Sequence, residues 1–113
     1  FMADKIYFVK ITTQAEEQLQ AIVKYIAFEL KAHKAALRLL DEIESSISSL
    51  SQFPQRVALT EEEPWRSADI HKMPIRNFLV YFWIDEENCK VQVTAIIYGR
   101  RDQIKQLSQM DME

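Results

Sequence analysis

The chain has 113 residues, 48% hydrophobic and 27% charged, with a formal net charge of −3. That size supports one small domain burying roughly 65% of its unfolded surface, and leaves no room for a second core. No apolar run approaches the ~20 residues that cross a bilayer, the lone Cys89 excludes an internal disulfide, and the acidic total argues against bulk attraction to nucleic acid.

The opening "FMADKIYFVK" lacks the apolar stretch and small-residue cleavage site of a signal peptide, so a cytoplasmic protein is expected. "KIYFVKI" alternates, with Ile6 and Phe8 on one face and Tyr7, Val9 and Ile11 on the other, which predicts a strand over 5–11. Thr13 and Glu16 then have capping-box spacing, placing a helix start at Gln14. Leu19, Ile22, Val23, Ile26 and Leu30 form one apolar stripe, "KAHK" interrupts it, and Ala36, Leu39, Leu40, Ile43, Ile47 and Leu50 form a second. Two amphipathic helices so closely joined run antiparallel and bury their stripes against a common surface, predicted to be a sheet.

Pro54 ends the second helix, and "VALTEEEPWRSAD" reads as an irregular connection of the length that often carries function. Strands follow at 69–74, 78–84 and 90–98, with "EENC" as the last hairpin turn. Gly99, the only glycine, ends the last strand and turns the chain, and "RRDQIKQLSQM" suits a short helix with Ile104 and Leu107 inward. The predicted architecture is α+β: an antiparallel two-helix hairpin on a largely antiparallel sheet of three to four strands, in the order β-α-α-β-β-β with a short C-terminal helix. "FLVYFWI", apolar on both faces, is its central strand, and one sheet face has no evident cover. The whole chain, 1–113, is expected to be one domain, ordered over about 5–105.

One glycine excludes a phosphate-binding glycine loop, and His33 and His71 lie too far apart in sequence for metal-ligand spacing, so no metal and no cofactor are expected. Charge is uneven: residues 1–63 carry seven Lys/Arg against ten Asp/Glu, residues 64–106 seven against five. The later cations gather in "IHKMPIR" (His71, Lys72, Arg76) and "YGRR" (Tyr98, Arg100, Arg101), which neighbouring strands could bring to one sheet rim. Cations, an imidazole and a phenol around one concavity can hold an RNA phosphate and stabilise in-line attack by the 2′-hydroxyl without a metal. They serve equally as an adhesive patch, or as ordinary surface groups that neutralise carbonyls and the acids of "DEE". Trp65, beside Arg66 in a polar loop, has either a packing role or a partner. Tyr25 and Phe28 lie off the main helical stripe and widen it, which points to a covering partner protein or a second copy.

The order of elements, with "TTQAEEQLQAIVKYIA", "LSQFPQR", "PIRNFLVYFWIDEE" and the closing "YGRRD", resembles the RelE/ParE toxins of bacterial type II toxin-antitoxin modules, over about 5–105. The resemblance implies a plasmid-stabilisation type of toxin, held inactive by a cognate antitoxin whose C-terminal segment wraps it, as a homodimer or a toxin-antitoxin heterotetramer. RelE-like members cut messenger RNA on the ribosome; ParE-like members poison DNA gyrase. A nuclease would draw on His71, Lys72, Arg76, Tyr98 and Arg101, the last matching the arginine after the final strand. Phe78 stands where RelE-like nucleases place an arginine, and Gln103, Gln106 and Leu107 where a catalytic tyrosine or histidine belongs. The long helical hairpin also looks more like ParE. The favoured expectation is therefore target binding through Trp65, Arg66, Arg76, Tyr98, Arg100 and Arg101, with Tyr25 and Phe28 meeting the antitoxin. A ribosome-dependent endoribonuclease and a degenerate interaction module are the alternatives.

Overall fold

The computed structural model describes residues 5–99, so the predicted C-terminal helix, Arg100 and Arg101 lie outside the described residues. Strand β1 (Phe8–Ile11) runs straight into helix α1 (Thr13–Lys24) through Thr12. Thr12 has φ −67° and ψ 160°; its N–H donates to the Val93 carbonyl at 3.0 Å, and its hydroxyl accepts from the Ala15 N–H at 3.2 Å. One residue thus closes a sheet ladder and caps a helix. The capping position is one residue earlier than Thr13, because pairing with a distant strand fixes where the extended backbone stops. The strand itself is shorter than 5–11: Ile6 makes only an isolated bridge to Gln52.

Ala15 and Leu19 are buried, with Ile22, Val23 and Ile26 half-buried beside them, as the 3.6-residue period requires. The α-helix then widens into one π-helical turn, Tyr25–Glu29, in which the Leu30 N–H donates to the Tyr25 carbonyl five residues back at 3.2 Å. The extra residue in this turn rotates the end of the helix off the stripe. Leu30, predicted inward, is 54% exposed, and Phe28 is 63% exposed. Lys31, at φ 52°, leads into α2 (His33–Ser48), which buries Ala36, Ile43 and Ile47.

Strands β2 (His71–Ile75), β3 (Phe78–Asp85) and β4 (Lys90–Tyr98) complete a four-stranded sheet of order β1-β4-β3-β2. β1 lies parallel to β4 and the other pairs are antiparallel, so the structure is the expected α+β arrangement of a helical hairpin on a largely antiparallel sheet. The inner strands β3 and β4 carry the longest apolar runs. Toward the helices, Phe78, Val80, Phe82, Val91, Val93 and Ile96 join Leu19, Ile43 and Leu50 in the main core. On the opposite face Leu79, Tyr81, Ala95 and Ile97 form a second core with Ile70, and Trp65 packs against it. That face, expected to lack cover, is roofed in part by the 59–70 connection, which explains why "FLVYFWI" is apolar on both sides.

Register in β4 shifts at Thr94: Tyr81 pairs with Ala95 but Phe82 pairs with Val93. This β-bulge adds one residue to β4 and reverses the alternation beyond it. Before the bulge the odd residues Val91 and Val93 face the helices; after it the even residue Ile96 does. β4 also outruns β1, whose register ends at Val93, and the Ile96 N–H is satisfied by the Gln18 carboxamide oxygen of α1 at 2.8 Å. Gly99 takes φ +81° directly after β4, as expected, and donates its N–H to the Asn77 carbonyl at 2.9 Å. Among the described residues no helix is long and apolar enough to cross a membrane.

A polar knot ties β1 to the β3–β4 turn. Tyr7 Oη donates to Glu86 Oε1 at 2.7 Å, and Gln55 Nε2 donates to Tyr7 Oη at 2.7 Å and to Glu86 Oε2 at 2.8 Å. Lys5 Nζ lies 3.4 Å from the same carboxylate. These donors, the Tyr7 hydroxyl foremost, hold the Glu86 carboxyl below its ordinary value of 4.5. The folded chain therefore binds this proton less readily than the unfolded chain. The resulting stabilisation is complete above about pH 4.5 and is lost as pH falls through the depressed folded value. Thermal melts at a series of pH values should show wild type losing stability below that point more steeply than Glu86→Gln; identical profiles would remove the knot from the account.

Candidate functional site

Strand alternation separates the residues that the sequence groups together. In β2, Met73 and Ile75 join the helix-side core, and His71 shares their face. Its ring stacks on Phe82 at 4.9 Å between centroids, and its Nδ1–H donates to the Val57 carbonyl at 2.6 Å. Lys72 projects from the other face toward the 59–70 connection. The two neighbours point apart across the strand, His71 onto Phe82 and Lys72 toward Glu62.

Lys72 Nζ stands 3.4 Å from Glu62, whose carboxylate also accepts from the Thr60 hydroxyl. Both charged side chains are largely shielded, at 19% and 23% exposed. Burial works against the ionised Glu62 carboxyl, but the Thr60 hydroxyl and the Lys72 ammonium outweigh it and hold the group below its ordinary value. Arg66 Nη1 donates to the Thr60 carbonyl at 3.3 Å, and the Ile70 N–H donates to the Trp65 carbonyl at 3.1 Å, so the connection folds back on itself. Trp65 has the packing role: half-buried, it closes over the second core. An open cleft of about 570 Å³ is lined by Arg66, Lys72 and Glu61 together with Val57, Leu59 and Met73.

Arg76 sits in the two-residue turn joining β2 to β3, with Ile75 and Phe78 paired across it, and holds φ at 55°. A left-handed backbone suits glycine or asparagine better than arginine. Its side chain reaches the helices, where Nε donates to Glu42 Oε1 of α2. That hydrogen bond and the attached charge lower the Glu42 carboxyl and raise the Arg76 guanidinium. The pair is open to solvent, with Arg76 71% exposed. Tyr98, at the end of β4, tilts against Phe78 at 4.8 Å between centroids and is 48% exposed. The bulge at Thr94 turns it to the helix side, away from Lys72. Among the described residues, the groups that the sequence could bring to one sheet rim are divided: Arg76, His71 and Tyr98 belong to the helix side, and Lys72 to the other, with Arg66 and Trp65.

Tyr25 and Phe28 both stand out from the hairpin, 49% and 63% exposed, and Phe28 meets His33 edge to face at 5.4 Å. Glu42 and Glu62, which anchor Arg76 and Lys72, carry no local sequence signal, since each partner lies in a different element. Among the described residues no cluster of His, Cys, Asp and Glu is placed to hold a metal ion.

Residues 9–103 match the family model described as ParE toxin of type II toxin-antitoxin system, parDE. The chain belongs to the ParE toxin family. No curated protein sequence matches it. Among solved structures, this ParE-family toxin is similar to the chromosomal ParDE toxin-antitoxin system of P. aeruginosa, with 19% identity, a TM-score of 0.69, and 85% of this chain and 99% of that one covered. It is also similar to the toxin-antitoxin complex RelBE2 of Mycobacterium tuberculosis, at 22% identity and TM-score 0.58, covering 85% and 97% of the two chains. These likenesses establish a RelE/ParE fold. Within it, the Lys72–Glu62 ion pair ties β2 to the connection that covers the second core. Glu62→Ala should cost about 1.5–3 kcal/mol, the range for hydrogen bonds to charged groups, and speed exchange of the Thr60 and Ile70 amides by hydrogen-deuterium exchange. Unchanged exchange would show that the backbone bonds and Trp65 hold the connection without the ion pair.

Proposed function

We propose that this toxin acts in the ParE manner: it binds an essential bacterial target, DNA gyrase, through contact rather than catalysis, in the cytoplasm, and is neutralised by a cognate antitoxin. Arg76 and Tyr98 make the target contacts together with Arg100 and Arg101, and Trp65 and Arg66 add contacts from the other sheet face. The antitoxin covers the exposed hairpin at Tyr25 and Phe28. The observation that carries this reading is the separation of His71 and Lys72 onto opposite faces of β2, one stacked on Phe82 and the other paired with Glu62. A metal-independent nuclease needs its proton-transfer group and its phosphate-binding cations on one substrate. Arg76 suits the contact role, since it stands at the β2–β3 turn with 71% of its side chain exposed.

The cleft at Lys72 and Arg66 favours a second reading, a ribosome-dependent endoribonuclease using Lys72, Arg76 and Arg101 with Tyr98 stacking on a base, although Arg76 and Tyr98 lie on the helix side and do not line that cleft. It requires Lys72 to leave Glu62. Induction in a bacterial host separates the readings. Gyrase poisoning should accumulate cleaved DNA and stop replication with transcripts intact, nuclease action should truncate transcripts, and a degenerate interaction module should do neither. Arg76→Gly relieves the backbone while removing the guanidinium, so it should weaken growth inhibition with the melting temperature within a few degrees of wild type. Full toxicity in this variant would remove Arg76 from the contact surface.

A further inference from the structure

Arg76 is fastened at both ends. Its backbone lies in the turn between Ile75 and Phe78, and that turn is tied to the end of β4 by the Gly99 N–H, which donates to the Asn77 carbonyl at 2.9 Å. Its side chain crosses to α2, where Nε donates to Glu42 Oε1. Glu42 has a nearer candidate partner. Arg38 stands one turn earlier on the same helix and borders the same groove as Glu42 and Arg76, yet among the described residues it has no ion-pair partner. An acid that follows a base along a helix is in the less favourable order for such a pair, so the carboxylate is left for the turn, 34 residues away.

The point of attachment decides what Arg76 can still do. A guanidinium meets an acceptor either side-on, through Nε and the neighbouring Nη, or end-on, through its two Nη groups. Glu42 takes Nε, and among the described residues neither Nη has a partner. The end of the fork is therefore open, on a side chain 71% exposed. Tyr98 stands at the same end of the sheet, because its partner in the β3–β4 ladder is Phe78, the residue that leaves the turn. We propose that Glu42 is a positioning residue: it holds the Arg76 guanidinium by Nε so that the two Nη groups face the target and donate in parallel to one acceptor group there. The inference rests on the reading of Arg76 as a target contact and assigns the residue that orients it. Fixing a long side chain before contact removes part of the ordering cost that binding otherwise carries. A carboxylate that competed with the target would occupy the open end of the fork, and this one does not.

The test expresses the full chain without its antitoxin in a bacterial host, reads the toxin level that halves the growth rate, and pairs every variant with a thermal melt. An exposed pair is individually weak, so Glu42→Ala should raise that level about two- to fivefold. Glu42→Gln, which keeps an acceptor for Nε, should recover most of the loss. Arg76→Lys keeps the charge and loses the fork, so it should be as weak as Arg76→Gly. The double variant decides: Arg76→Gly with Glu42→Ala should be no weaker than Arg76→Gly alone, because Glu42 acts only through Arg76. Additive losses, Glu42→Ala as toxic as wild type or more so, or Arg76→Lys with wild-type toxicity would overturn the positioning role and leave Arg76 as a contact. Full toxicity in Arg76→Gly, or no growth inhibition by wild type, would remove the contact reading and this inference with it.

Discussion

Thr94 occupies β4 as an unmatched residue, with Val93 and Ala95 facing consecutive residues of β3, and its hydroxyl donates to the Tyr81 carbonyl at 3.4 Å. A side-chain period of two makes one inserted residue a switch: everything beyond it changes sides. Val91 and Val93 below the bulge and Ile96 above it can all reach the helix-side core for that reason, while Ala95 and Ile97 pack on the opposite face. The main core beneath the helices and the smaller one beneath the 59–70 connection both depend on this register. So does Tyr98, which comes to rest on Phe78 beside the helices.

Charge follows the same division. On the helix side Arg76 is held by Glu42 at a solvent-exposed mouth, where a pair contributes little to stability and exchanges partners readily. On the other side Lys72 is held by Glu62 under partial cover, where separation is more costly because a shielded charge would lose its partner. The first arrangement suits a contact surface that engages and releases other proteins. The second suits a fastening for the connection that roofs the sheet. A ParE-type fold thus presents two electrostatic environments from one small sheet.

Much of this architecture is legible in the sequence. The stripes from Leu19 to Ile26 and from Ala36 to Leu50 specify the hairpin, and "KVQVTAIIY" coincides with β4 because apolar periodicity and a turn on each side bound it. Gly99 marks the end of that strand since its φ of +81° is open to glycine at little cost. Long-range pairing is what local pattern does not carry. The cap falls on Thr12 because of a bond to Val93, and Leu30 turns outward because the backbone adopts a π turn that no side chain announces. The candidate site suffered most from this limit: His71 and Lys72 are adjacent letters that a strand sends apart, and the bulge that redirects Tyr98 is set by pairing between two strands. The acids that anchor Arg76 and Lys72 come from α2 and from the connection, 34 and 10 residues away.

The division of the late side chains between the two sheet faces is most directly tested by proton-proton cross-relaxation in solution. The bulged register predicts that the Tyr98 ring contacts Phe78 and the His71 ring contacts Phe82, with neither ring close to Trp65. Cross-peaks from Tyr98 or His71 to the Trp65 indole would place those rings on the Lys72 face and contradict the account.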